Sequence, residues 1–211
     1  MDATTQGREK AHPAPRGRNA RGQGERLRAE IVEAALRLLE ELADDQALSL
    51  RAVAREVGIA ATSVYLHFAD RDALVTAALE QCYADLMRAV DEAEEGAADP
   101  AAALRGRIAL VIVWSQEHPG LYKVLHESTL NRRGDMSFKE EMSARTTAAI
   151  QRCMDAGLAP AGDAAAVSLD LRTALHGAVS LRVNQPDAPW PPLDEQMERF
   201  LTKLVGIPSA P

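Results

Sequence analysis

Apolar residues recur at three- and four-residue steps along nearly the whole chain, beginning with Leu27, Ile31, Ala34, Leu38 and Leu42, while Glu30, Glu33, Arg37 and Glu40 fall on other faces. That period is helical and predicts a first helix from Arg26 to about Ala43 and Asp44. Ser49 stands where an N-cap would open a second helix, Leu50 to Val57, whose Leu50, Val53, Ala54 and Val57 share one face. Gly58 ends it, since glycine accepts the left-handed backbone of a helix C-terminus, and Ile59 just beyond can plug the corner against the first helix. A third short helix is expected from about Ala61 to His67.

Asp70 can cap a longer helix from Arg71 towards Glu94, on which Leu74, Ala78, Leu79, Cys82, Leu86 and Val90 make a wide apolar stripe closed by Gly96. Asp99 and Pro100 place an N-cap before proline at the first helical position, opening a helix to about Glu117; Pro119 opens the next, to about Leu130. Asn131 to Asp135 reads as a loop, Ser137 to Ala156 as a helix stopped by Gly157, and Asp163 as the cap of a helix to about Asn184. The prolines from Pro186 to Pro192 enforce an extended link before a final helix, about Leu193 to Val205. No strand candidate survives the helical alternative, so the expected fold class is all-α.

Composition agrees. Of 211 residues 46% are hydrophobic but only 4% aromatic, an Ala- and Leu-rich excess that favours helices, and the length allows one large or two modest domains with a real core. Cys82 and Cys153 lie far apart with no partner at metal-ligand spacing, and His118, His126 and His176 are not spaced to share a helical face, so neither a disulfide framework, a metal site nor a cofactor is expected. No apolar run approaches the roughly 20 residues that cross a bilayer, and the N-terminus lacks a signal-peptide core; a soluble, cytoplasmic protein without a membrane partner is expected. Net charge is -7, which argues against indiscriminate coating of nucleic acid but leaves room for a local basic face. Residues 1–25 show no apolar periodicity and read as a disordered arm. It carries Arg8, Lys10, Arg16, Arg18 and Arg21 against Asp2 and Glu9, a composition suited to lying along phosphates or in a minor groove, or simply to a solvated tail.

The segment from Ser49 to Arg71 has the mechanics of a helix-turn-helix: two short helices about a glycine-containing turn. A helix that enters the major groove with its N-terminal end forward needs small side chains there, and Ala60, Ala61, Thr62 and Ser63 meet that demand. Thr62 can reach a thymine methyl or a phosphate, Ser63 a phosphate, and the Tyr65 phenol either the backbone or a base; Ser49 can donate to a phosphate as well as cap. The string SLRAVAREVGIAATSVYLHFADRDAL resembles the DNA-binding signature of the tetracycline-repressor (TetR) family, in its Gly-Ile turn, its Tyr-x-His-Phe ending and the start of its fourth helix. The resemblance implies phosphate contacts for Tyr65, His67 and Arg71, and places Arg51 at the position from which the family reaches guanine. This chain departs from the family in having Ala60 where Ser or Thr usually caps the recognition helix, forfeiting about 1 kcal/mol of capping and thinning direct readout. Against these roles stand the plainer ones of a half-buried Tyr65 and an idle exposed His67. Phe68 belongs to the core, pinning the third helix against the first.

The expected organisation is a basic arm over 1–25, a three-helix DNA-binding domain over 26–72 and a helical effector-binding and dimerisation bundle over 73–211. The later stretches HPGLYKVLHES and ALHGAVSLRVNQPDAPWPPLDEQMERFL resemble a WHG-type C-terminal subtype of the family. Small residues around His176 (Ala174, Gly177, Ala178 and Ser180) let a helix approach closely, either from a second chain, making a four-helix dimer interface with the helix from Leu193, or from within the same chain. Candidate ligand contacts are Trp114, Tyr122, Leu125, His126, Phe138, Met142, Arg172 and His176, with ordinary core roles open for Trp114 and His126. The expected partners are a double-stranded DNA operator, a small-molecule effector and a second copy of the chain. The rival enzymatic reading, a hydrolytic set of His126, His176, Ser128 and Asp170, lacks any framing nucleophile or phosphate-loop motif.

Overall fold

Apart from short 3-10 and π turns, the computed structural model, which describes residues 23–132 and 137–209, consists of α-helices joined by short connections, with no strand among the described residues. The first three helices, α1 (Gln23–Leu42), α2 (Leu50–Val57) and α3 (Ala61–Tyr65), form a small head. The long α4 (Arg71–Glu95) leads into α5 (Pro100–Glu117), α6 (Pro119–Glu127), α7 (Ser137–Asp155), α8 (Ala164–Asn184) and α9 (Leu193–Phe200). The helix starts follow local chemistry. Ser49, Asp70, Asp99 and Asp163 each sit in extended backbone and accept N–H bonds from the first turn of α2, α4, α5 and α8.

Outside the head's third helix, three boundaries differ from expectation. Helix α1 begins at Gln23, so the last three residues assigned to the arm are helical, with Glu25 placed to favour the first-turn dipole; the rest of the arm lies outside the described residues. Helix α6 stops at Glu127, because the Ser128 hydroxyl takes the Leu130 N–H and tightens the chain into a 3-10 turn over Thr129–Arg132. The final helix loosens into a π turn over Leu201–Val205 that ends at left-handed Gly206.

Two apolar clusters organise the molecule. One joins the head to α4 and α6 through Ile31, Leu39, Val53, Val64, Phe68, Leu74, Leu79 and Leu125, all buried. The other fills the space between α5, α7, α8 and α9 through Leu104, Ile108, Ile150, Leu171 and Leu201. Trp114 packs against both. The expected seam at residues 72 and 73 thus falls in the first turn of α4, within a continuous core.

Helix α6 is pressed onto α1. A Cβ built on Gly120 would stand 2.0 Å from the Glu40 carbonyl oxygen, so only glycine permits this approach. Both oxygens of the Glu40 side chain then accept the otherwise unpaired N–H groups of Gly120 and Leu121, at 3.0 Å each. The end of the head's first helix therefore caps the start of α6.

Candidate functional site

The head presents α3 at its surface. Glycine at position 58 is left-handed (φ 76°) and its N–H closes α2 on the carbonyls of Ala54 and Arg55, turning the chain sharply into α3. Val64 and Phe68 face the core, and Arg28 stacks its guanidinium 5.0 Å above the Phe68 ring. What is left on the outer side is Thr62, exposed, with Ala61 and Ser63 half-buried and Tyr65 56% exposed. Ala60 makes no side-chain capping bond. Helix α3 ends at Tyr65 rather than His67, and the turn beyond it leaves Leu66 84% exposed, an outward apolar group that the sequence pattern did not flag.

Around α3 the other candidates differ in how they are committed. Arg51 is exposed on α2 and has no ion-pair partner among the described residues, while Arg37 and Glu56 join α1 to α2 at 3.2 Å. Ser49 spends its oxygen on the Ala52 N–H yet remains exposed. His67 is half-buried. Arg71 is engaged: it donates to Asp72 at 2.6 Å and to the Gln46 side chain at 3.0 Å. Gln46 in turn donates to Asp45 and lies 3.3 Å from the Thr129 hydroxyl beyond α6. A polar chain thus runs from the start of α4 across the head to the C-terminal bundle, and beyond Arg71 it is built from residues that sequence reasoning did not single out.

Inside the bundle, seven of the eight ligand candidates meet at two adjoining cavities. The larger, about 90 Å³, is lined by Tyr122, His126, Met142, Arg172 and His176 together with Arg107, Ile108, Leu171 and others. A smaller one, about 30 Å³, shares Tyr122, His126 and Met142 and adds Trp114 and Leu125. Phe138 instead packs on Tyr83 at 5.5 Å between ring centres and belongs to the core. There are also two open clefts of about 630 and 660 Å³, one beside Asp91 and Asp99, the other between α1, α4, α5 and α6, where it shares Cys82, Leu86 and Trp114 with the smaller cavity. Both are surface grooves, which leave a small ligand largely in solvent.

At the cavity wall three rings cluster. Tyr122 Oη lies 2.9 Å from His176 Nδ1, and His126 sits 4.4 Å from the Tyr122 ring and 5.0 Å from His176. Burial, and then the Glu127 carboxylate, push the Tyr122 hydroxyl above its usual range, so it stays protonated. Burial also brings His126 down to about 3, helped by the nearby His176, Lys139 and Arg172; it is a neutral imidazole at physiological pH. Buried Arg107 donates to Glu94 at 2.6 Å. Of the residues of the hydrolytic alternative, Ser128 is buried with its Oγ accepting the Leu130 N–H, whereas Asp170 is exposed on α8.

The outward side of α8 is the remaining feature. Leu169 and Leu181 are 53% and 46% exposed, and a Cβ built on Gly177 meets nothing within 4 Å. The small-residue stretch is therefore not sealed at Gly177 by a neighbouring helix of the same chain. Among the described residues no cluster of three or more His, Cys, Asp or Glu is placed to hold a metal, and no helix is long and apolar enough to cross a membrane.

Comparison with known proteins bears on both halves. Residues 31–78 match the family model described as bacterial regulatory proteins, tetR family, and residues 104–205 match a tetracyclin repressor-like C-terminal domain. Among solved structures, the chain is similar to the fatty acid degradation regulator FadR from Bacillus halodurans, with a TM-score of 0.72 at 13% identity over 84% of this chain and 94% of that one. It is similar to SmeT, the repressor of the Stenotrophomonas maltophilia multidrug efflux pump SmeDEF (TM-score 0.67, 18% identity, 85% and 88% covered). The ketosteroid transcriptional regulator KstR2 of Mycobacterium tuberculosis is a third (TM-score 0.61, 19% identity, 90% and 95% covered). At such identities these likenesses establish the fold.

Proposed function

Because the chain belongs to the TetR family of DNA-binding transcriptional regulators, we propose that it represses by holding a near-palindromic operator as a homodimer, and that a small molecule entering the C-terminal cavity releases it. The observation that carries the DNA half is the outward Thr62 and Tyr65 on a helix that opens with small residues, beside an Arg51 without an ion-pair partner among the described residues. In this reading Ala61 allows close approach, Thr62 meets a thymine methyl or phosphate, and Ser49 and Ser63 meet phosphates. Arg51 forks onto a guanine. Tyr65, His67 and Arg71 hold the backbone, Arg71 sharing its fork with Asp72 and Gln46.

Residues 26–72 act as the head and 73–211 as the effector and dimerisation domain. Helices α8 and α9 pair with their copies, a reading supported by the exposed Leu169 and Leu181 and the open flank of Gly177. The effector lies among Trp114, Tyr122, Leu125, His126, Met142, Arg172 and His176. It shifts the population towards a head spacing that misses the two half-sites, with α4 as the lever. The protein works in the cytoplasm by binding and not by turnover, so ester hydrolysis in its presence stays at background. The test is genome-wide selection of bound DNA. A short near-palindrome should be enriched; retention indifferent to sequence and to salt would overturn the reading.

A further inference from the structure

The cavity between α4, α5, α6, α7 and α8 is basic. Its lining contains the guanidiniums of Arg107 and Arg172 and the imidazoles of His126 and His176, and no carboxylate. The nearest carboxylates, Glu94 and the Asp91, Glu95 and Asp99 of the open cleft beside it, lie outside that lining. Glu94 accepts from both Arg107 and Arg152, so one carboxylate serves two guanidiniums. Lys139 gives its ammonium to the Leu125 carbonyl and the Asn131 side chain rather than to an acid. Burial and then Arg172 bring its pKa to about 8. The carboxylate that acts on Tyr122 is exposed Glu127, which bonds to Ser180.

Arg107 is fixed, between Glu94 and the Met87 sulfur, and its charge is met by that carboxylate. Arg172 differs. It lies at an exposed edge of the lining and has no carboxylate within ion-pair distance among the described residues. A cation entering here would meet the unpaired charge of Arg172, whereas a carboxylate matches a guanidinium fork with two parallel bonds. The remaining walls, Ile108, Val111, Leu171 and Leu175, suit an apolar body, and flexible Met87 and Met142 can yield to it. The room is small, about 90 and 30 Å³ against about 150 Å³ for a void that accepts benzene, so a six-carbon chain enters only as Met87 and Met142 move aside and the two cavities merge.

We propose that the cavity takes a small monoanion, a carboxylate on a short apolar body, held at its charged end by Arg172. This rests on the reading of the cavity as the effector site, and the test separates the two. The full chain is titrated calorimetrically, at fixed ionic strength, with hexanoate, hexan-1-ol and hexylammonium as matched probes. Hexanoate should bind saturably and roughly tenfold or more tighter than the alcohol, with the ammonium weakest. Arg172→Gln should remove most of that advantage and Arg172→Lys restore part of it, with the unliganded Tm of both unchanged. If the alcohol matches hexanoate, or Arg172→Gln leaves their ratio intact, the anion assignment is overturned and the cavity reading survives. If no probe gives saturable heat, or a cavity-filling Leu175→Phe binds them as well as the parent chain, the cavity reading itself fails and the proposal with it.

Discussion

Single side chains in this molecule divide by whether their polar atoms are already spent. Arg51 is exposed with no described ion pair, so its removal should leave the fold alone and touch recognition directly. Arg51→Ala is expected to relax preference at one base pair of the selected site by about 1 to 3 kcal/mol, measured by competition among single-base operator variants, with Tm unchanged. Arg71 is the opposite case, being bonded to Asp72 and Gln46, so its loss would mix structural and recognition effects. His126 gives a pH signature. Its folded-state pKa of about 3, set first by burial, lies below the ordinary 6.5, so between those values the unfolded chain binds the extra proton. Its contribution is intact above about pH 6.5 and is lost as pH falls through the window down to about 3, at no more than ~1.4 kcal/mol per pH unit. His126→Gln should flatten the acid limb of stability against pH, read by urea unfolding from about pH 7 to about pH 4; an unchanged slope would mean that His126 is charged when folded.

Among the elements, two glycines test two different demands. Gly58 has a left-handed backbone but open space where a Cβ would go, so Gly58→Ala should cost about 1 to 2 kcal/mol of backbone strain. Gly120 has an ordinary helical backbone but no space at all, because a Cβ would meet the Glu40 backbone at 2.0 to 2.9 Å. Gly120→Ala should be the more damaging, separating α6 from α1, breaking the Glu40 cap and lowering DNA affinity; chemical denaturation of the two variants side by side decides it. The contrast also explains what could be read in advance. Caps and stops are local, and Ser49, Asp70, Asp99, Asp163 and Gly58 marked their helix ends in sequence. Gly120 opens no turn, and its reason lies 80 residues away in Glu40. The cavity was legible only as single residues. Tyr122, His126, Arg172 and His176 were visible as candidates, whereas buried Arg107, within the apolar helix α5, was not singled out, because only packing sets it beside Glu94. Phe138 was misplaced for the same reason, since periodicity shows that a ring is buried but not whether a cavity or Tyr83 faces it.

For the whole molecule, a net charge of -7 means that affinity for a polyanion must come from placement and from doubling of the head. One short α3 offers few contacts, and a second copy held at fixed spacing turns the next half-site into an intramolecular encounter. The side of α8 bearing Leu169, Thr173, Gly177 and Leu181 suits such a join, because it places exposed apolar groups around a position where another backbone can come close. The same helix turns Ser168, Arg172, Leu175 and His176 toward the cavity. A ligand that shifts α8 would therefore act on the dimer seam as well as on the head, through Tyr122 and α6, whose N-terminus is tied to Glu40 of α1. The double variant Leu169→Glu, Leu181→Glu puts like charges on both faces of the proposed seam while touching no residue of either buried cluster. It should sediment as a monomer with an unchanged helical signal, and its affinity for a full operator should fall by about 10² to 10⁴, to that for an isolated half-site. A variant that remained dimeric and kept full operator affinity would move the seam away from α8 and remove the link between cavity and seam.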